Sequence, residues 1–355
     1  MIFLKKDLLI LCIFLCMISC SKVLKSNTDT SKTEIVTNYE YKIDSIFKNS
    51  NQDRKFNGVI LIADSTKIKY CKSFGYADFE KKIPIKNTDK FLILSISKQI
   101  TAVLLLRLVE SGKVVLDKPI DSYLTELNPK WSSVITVKNL LNHTSGIEEL
   151  TTSLLFKPNS GYKYSNANYV LLGKIIEKVS GRTYKDLFKE LMKECKMNHT
   201  IFPDKDFNDF VHGYNFVNGI QSKTDKITFD ASEVPAGGVI STVQDLLLWN
   251  NKLYEGSLVS KKSFQEMITP YSETKHSVFG DTKMYYGFAL YVNDKNKEVG
   301  HTGYSDSKGF TVLNLYYLNS KKSLITIENQ TYEIEKTPFL YEKMIRDMVF
   351  AIKNN

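Results

Sequence analysis

Ser95-Ile96-Ser97-Lys98 sets a hydroxyl and an amine three residues apart. Residues at that spacing are neighbours on a helix, so Lys98 can reach the Ser95 hydroxyl. A lysine held neutral by burial and nearby positive charge can take the serine's proton. The same Ser-x-x-Lys spacing recurs at Ser19, Ser45, Ser160, Ser272 and Ser305, so spacing alone decides nothing. Context separates them. Ser95 lies between the apolar run 91–94 and an apolar helical pattern. That puts a polar pair at a buried helix N-terminus, where backbone N–H groups can hold an oxyanion. The other five fall in signal-like, loop or polar sequence.

Two further groups could complete such a site. In Tyr164-Ser165-Asn166 the phenol can serve as phenolate or proton shuttle, and the asparagine can hydrogen-bond a substrate amide or cap the helix that follows. Tyr291 and Tyr317 also precede an asparagine at this spacing, but they sit in strand-like sequence that suits core aromatics. In Gly300-His301-Thr302-Gly303 the glycines let a substrate backbone lie against a strand edge. His143 reads as a residue that holds a turn. His199, His212 and His276 carry no assigned role, and Trp131 and Trp249 read as packing residues.

Elements must bring these pieces together. Strand character marks 56–63 and its hairpin partner 68–71, then returns at 288–292, 309–318 and 323–329. Helical periodicity starts near Ser95 with Ile100, Val103, Leu104 and Leu108 and closes at Gly112. Further helices follow Thr136 and span about 166–179 before Gly181; next comes an amphipathic stretch in which Tyr184, Leu187, Phe188, Leu191, Met192 and Cys195 share one face. Thr242 and Asp245 resemble a capping box, and Thr337-Pro338 opens a last helix to about Ile352. Strands at both ends with helices between predict an α/β (α+β) architecture: an antiparallel sheet built from both chain ends, flanked by helices, with an inserted all-helical lobe. The expected sheet lobe is about 39–93 and 286–355, and the helical lobe about 94–285. A cleft between them is the expected site.

The ordered set Ser-x-x-Lys, Tyr-x-Asn and His-Thr-Gly resembles the serine β-lactamase and penicillin-binding protein superfamily, most of all its class C-like branch of D-Ala-D-Ala carboxypeptidases, D-aminopeptidases and esterases. Flanking stretches match as well: Phe56-Asn-Gly-Val, Phe74-Gly-Tyr-Ala-Asp78, Leu140-Leu-Asn-His-Thr-Ser-Gly146 and Ala236-Gly-Gly238. The resemblance implies a β-lactamase-like fold and no cofactor. It further implies an acyl-enzyme on Ser95, proton transfer by Lys98 and Tyr164, and an amide held by Asn166. The oxyanion hole would come from the N–H groups of Ser95 and Tyr304, and His301, Thr302 and Gly303 would line the strand side. Classical members carry lysine where this chain has His301. Histidine is mostly neutral at pH 7, so recognition of a substrate carboxylate there should weaken. The substrate expected is a small ester, amide or D-amino-acid peptide. A D,D-carboxypeptidase or weak β-lactamase is the close alternative, and a ligand-binding or sensor protein that has lost turnover is the distant one.

The remaining features bound this reading. The 355 residues are 43% hydrophobic and 25% charged, ordinary values for a globular chain, and the net charge of +9 is spread without a basic block, which argues against nucleic-acid binding. Lys5 and Lys6 precede an uncharged run from Leu8 to Ser19, too short to span a bilayer and fitting a signal peptide over 1–19. The run ends Met17-Ile18-Ser19-Cys20, which resembles a lipobox with Cys20 as the lipidated residue; 20–38 then reads as a polar tether to the membrane ahead of the hydrolase domain at 39–355. The expected address is the cell envelope, facing the periplasm. Cys71 and Cys195 make no disulfide framework, and the Cys and His positions show no metal-ligand spacing. Loops 148–160 and 204–228 are the expected seat of specificity.

Overall fold

The computed structural model describes residues 30–353 apart from 51–54, 128–129, 218–219, 281 and 333–337. Strand Gly58–Asp64 (β1) is apolar at nearly every position because both its faces are covered. It pairs with Lys67–Phe74 (β2) on one side and with Lys322–Glu328 on the other, both antiparallel. The main sheet has eight strands. The others, in chain order, are Ser272–Thr274 (β3), Met284–Tyr286 (β4), Tyr291–Asn293 (β5), Glu298–Ser305 (β6), Phe310–Tyr317 (β7) and Lys322–Glu328 (β8). Their order across the sheet is β2-β1-β8-β7-β6-β5-β4-β3. The two ends of the chain thus meet in one sheet.

Alternation along the central strands divides the core in two. Ile60, Ile62, Leu313, Leu315 and Leu324 point to one face, where Tyr39 and Ile43 of helix Thr30–Asn49 (α1) and Tyr341, Ile345 and Val349 of the C-terminal helix cover them. Val59, Leu61, Val312, Ile325 and Ile327 point to the other face, against the helical region. That region comprises Ser97–Glu110 (α2), Val137–Leu141 (α3), Asn166–Ser180 (α4), Tyr184–Cys195 (α5) and Val243–Tyr254 (α6), together with the short helix Lys261–Met267 and several single turns. The C-terminal helix is Leu340–Lys353 (α7). Buried Arg346 of α7 forks onto Glu298 of β6 at 2.7 and 2.8 Å, which fixes the helix on the sheet.

Several elements depart from the expected layout. The stretch read as tether is helical from Thr30, and α1 docks on the sheet through Tyr39. The sheet gains β3 and the start of β4 ahead of residue 286, two short strands whose three residues each give little alternation to read. The strand expected at 288–292 is reduced to β5, because Ala289 takes a positive φ of 56° and the Gly287 N–H bonds back to Leu290. The lobe is not all-helical: hairpin strands Tyr214–Val217 and Ile220–Lys223 lie in it, and the first pairs with Gln330–Tyr332. The last helix begins at Leu340, after Pro338, while Thr337 lies outside the described residues. Thr242 does cap α6 through the Asp245 N–H, but the Asp245 carboxylate turns instead to His199 N and Thr200 Oγ1, each at 2.8 Å. Cys71 and Cys195 are free thiols. Cys20 and the signal-like run lie outside the described residues, and no helix among the described residues is long and apolar enough to cross a membrane.

Candidate active site

Ser95 sits in a single 3₁₀ turn, Leu94–Ile96, that leads directly into α2. Leu94 takes a positive φ of 49°, a conformation that costs a side-chain-bearing residue energy and persists only where packing enforces it. Two contacts enforce it here. The Ser97 hydroxyl donates to the Leu94 carbonyl at 2.6 Å and accepts from Val239 N at 3.2 Å. From the other side β6 presses against the turn: a Cβ on Gly303 would stand 2.8 Å from Leu94 Cβ, 2.9 Å from Ile93 O and 3.3 Å from Ser95 N. Only glycine allows this approach, and it brings the strand edge to the Ser95 backbone.

Lys98 is fully buried. Its Nζ lies 3.1 Å from Ser95 Oγ, 2.7 Å from Asn166 Oδ1 and 2.5 Å from the Ala236 carbonyl. Burial, and next to it the charge of Lys308, hold its pKa well below the ordinary lysine value. A neutral amine has two N–H donors and one lone pair. Asn166 and Ala236 present only acceptors to it and take both donors, so the lone pair faces the Ser95 hydroxyl. That is the geometry of a general base.

Tyr164 closes the site from the N-terminal side of α4. Lys98 Nζ stands 4.9 Å from its ring centre. The phenol oxygen is buried and makes no full hydrogen bond among the described residues. Burial and the neighbouring Tyr291 raise its pKa well above the ordinary phenol value, and the Ser95 hydroxyl pulls the other way. A phenolate at neutral pH is therefore disfavoured, and the shuttle role suits the group better. His143, at a positive φ of 60°, backs the ring at 4.4 Å between centres. Asn168 Oδ1 accepts from Ser145, which turns its amide N–H toward His143 Nδ1 at 3.0 Å. The turn-holding role expected for His143 matches this.

On the strand side the expected lining is only partly exposed to the cleft. His301 is 1% exposed. Its Nδ1 lies 2.6 Å from the Thr302 carbonyl, so it donates there, and its Nε2 then accepts from the Tyr286 hydroxyl at 2.9 Å. Burial, together with Lys98 and His276, lowers its pKa to about 3. With both nitrogens engaged, His301 offers neither a charge nor a free donor to a substrate. Thr302 Oγ1 lies 2.9 Å from His276 Nε2. His276 accepts from Val278 N through Nδ1, so Nε2 carries the proton and donates to Thr302. Of its two expected roles, Asn166 does not take the N-cap of α4. It holds Lys98 through Oδ1, while Ser165 occupies the N-cap position of α4.

Lys98, Ser95, Tyr164, Asn166 and Gly303 thus converge, and a cleft of about 780 Å³ opens beside them, lined by Tyr164, Asn166, Phe229, Gly237, Gly238 and Lys308. Of the loops expected to set specificity, residues 148–151 of the first form a wall, while the second, 204–228, contributes only Thr228 and the wall continues into Phe229 and Asp230. Sequence reasoning gave no role to Ser97, Ala236, His276 or Lys308. The Ala236-Gly-Gly238 stretch was a visible signal for one of them. His276 and Lys308 had none, since each acts across elements far apart in the chain.

Residues 43–343 match the Beta-lactamase family model. The chain belongs to the β-lactamase family. Penicillin-binding protein 4* of Bacillus subtilis (strain 168) is 27% identical over 339 residues, covering 82% of this chain and 72% of that protein. The octameric penicillin-binding protein homologue from Pyrococcus abyssi superposes with a TM-score of 0.75 at 27% identity, covering 88% of this chain and 77% of that one. D-amino acid amidase from Ochrobactrum anthropi SV3 shares the fold with a TM-score of 0.74 at 22% identity, covering 90% and 99%. This family member is a serine hydrolase built on the sheet-and-helix fold described above.

Proposed function

We propose that this serine hydrolase works through an acyl-enzyme on Ser95, acts on a small ester, amide or D-amino-acid peptide, and does so in the cell envelope, tethered by a lipid on Cys20. The observation that carries the catalytic part is the Lys98 amine, deprived of both its protons' freedom by Asn166 and Ala236 and aimed at Ser95 Oγ. In acylation, Ser95 Oγ attacks the substrate carbonyl and its proton passes to Lys98. The Ser95 and Tyr304 N–H groups receive the oxyanion. Tyr164, a neutral phenol, gives its proton to the departing alcohol or amine and regains one from Lys98. Water then repeats the sequence on the acyl-enzyme, and Ser95 recovers its proton.

Penicillin-binding relatives and the amidase and esterase neighbours favour acyl transfer to water over mere binding, and the intact Ser95–Lys98–Tyr164 set gives no ground for a lost activity. The neutral, engaged His301 argues against efficient β-lactam hydrolysis, since no charge meets a carboxylate there. The purified protein is expected to hydrolyse p-nitrophenyl esters, and Ser95→Ala to reduce kcat on the order of 10³-fold or more. Wild-type turnover in that variant would remove Ser95 as nucleophile. A fluorescent penicillin separates the alternatives: stable labelling of Ser95 points to a penicillin-binding protein, rapid turnover to a lactamase, and no reaction to an esterase or amidase.

A further inference from the structure

The cleft contains a cation that takes no part in the proton transfers above. Lys308 stands in the turn between β6 and β7, half-buried, and lines the cleft with Asn166, Tyr164 and Gly237. The turn is clamped. Gly309 N bonds to Ser305 O at 2.8 Å, and Gly213 passes so close that a Cβ on it would lie 1.9 Å from the Lys308 carbonyl. The lysine is therefore presented from fixed backbone.

Its charge is available. Lys163, on the same cleft, is paired with Glu148 at 2.7 Å, and the Asp230 carboxylate is occupied by Ser232 at 2.8 Å. Among the described residues Lys308 makes no ion pair. Its charge also bears on Lys98. The reacting centre therefore looks toward a positive group. Along β6 and its turn, His301 precedes the Gly303–Tyr304 step and Lys308 follows it. The cation at 308 lines the wall of the cleft that Asn166 also lines.

We propose that Lys308 is the anion receptor of this cleft and binds a carboxylate carried by the acyl half of the substrate. The proposal rests on the acyl-enzyme reading and narrows its substrate class: esters or amides of acids that bear a second, ionised carboxyl group. Charge-assisted hydrogen bonding in a half-buried site should raise kcat/KM for such a substrate about 10-fold or more over a neutral one.

Two p-nitrophenyl esters of equal chain length test this: the hemiester of glutarate, which is anionic, and the valerate, which is neutral. The wild type should favour the glutarate ester, Lys308→Arg should keep the preference, Lys308→Met should lose it, and Lys308→Glu should invert it. The readout is the ratio between esters, whatever each variant's absolute rate. A wild-type ratio near one, or a ratio unchanged in Lys308→Met, overturns the proposal. Turnover that survives Ser95→Ala overturns the acyl-enzyme reading instead. Should neither ester turn over, labelling of Ser95 by a fluorophosphonate replaces the rate. Free glutarate should slow labelling of the wild type and not of Lys308→Met, and equal behaviour of the two sinks the proposal.

Discussion

Lys98 is useful because it is short of protons, and two features keep it so: full burial and the ammonium of Lys308. The pH dependence follows with a definite sign. The active form is the neutral amine, so kcat/KM for a neutral ester should rise with pH through the lowered pKa of Lys98. Lys308→Met removes a positive neighbour, which raises that pKa and moves the rising limb to higher pH. His301 adds no limb near neutrality, since it protonates only at about 3. A pH–rate profile of wild type and variant on p-nitrophenyl valerate checks this, and a limb that moves to lower pH or stays in place contradicts it. Ser95, Lys98 and Tyr164 were legible in the sequence because each lies in a short motif whose order along the chain is distinctive. The state of the lysine was not legible, because it depends on Lys308, Asn166 and Ala236 arriving from three other elements.

At the scale of elements, the site is the meeting of a strained turn with a strand edge. Helices α4 and α5 could be read closely, α4 from Gly181, which ends it with a φ of 68°, and α5 from the apolar face that begins at Tyr184. The turn Leu94–Ile96 and the strands β3 and β4 could not, since three residues carry no period. Gly303 was marked as a glycine for close approach, but toward a substrate. Its nearest neighbours are Ile93, Leu94 and Ser95, at and just before the nucleophile turn. Gly303→Ala should therefore push the turn and the strand apart, costing about 1–3 kcal/mol of stability through overpacking. The rate should fall further than that loss of stability explains, about 100-fold in kcat/KM, because small displacements of reacting groups are expensive. Thermal unfolding and ester kinetics on one preparation separate the two effects. A variant with lowered stability and full activity would show that the turn tolerates the shift.

The whole molecule is held by an arrangement that composition and periodicity could not predict: both chain ends cover one face of the sheet. Tyr39 of α1 packs there and accepts from the nearly buried Lys322 of β8 at 2.8 Å, while Ile43 is fully buried beside Ile60 and Ile62. The polar composition around 21–38 suggested a tether because α1 has its apolar residues thinly spaced, and its docking partner lies at the far end of the chain. With α1 beginning at Thr30, only residues 21–29 separate the proposed lipid on Cys20 from the folded body. Nine residues reach about 30 Å at full extension, so the proposed anchor holds the hydrolase close to its membrane. This division of the chain has a direct consequence. Protein beginning at Thr30 should unfold at the same temperature as longer forms. Protein beginning at residue 50 loses the side chains of Tyr39 and Ile43 and uncovers Ile60 and Ile62, and each large apolar side chain removed from a core costs about 2–5 kcal/mol. Its melting temperature should drop by many degrees, or the chain should aggregate. Equal melting of the two would mean that α1 is an ornament on the sheet, and the anchor would then sit on a leash some twenty residues longer.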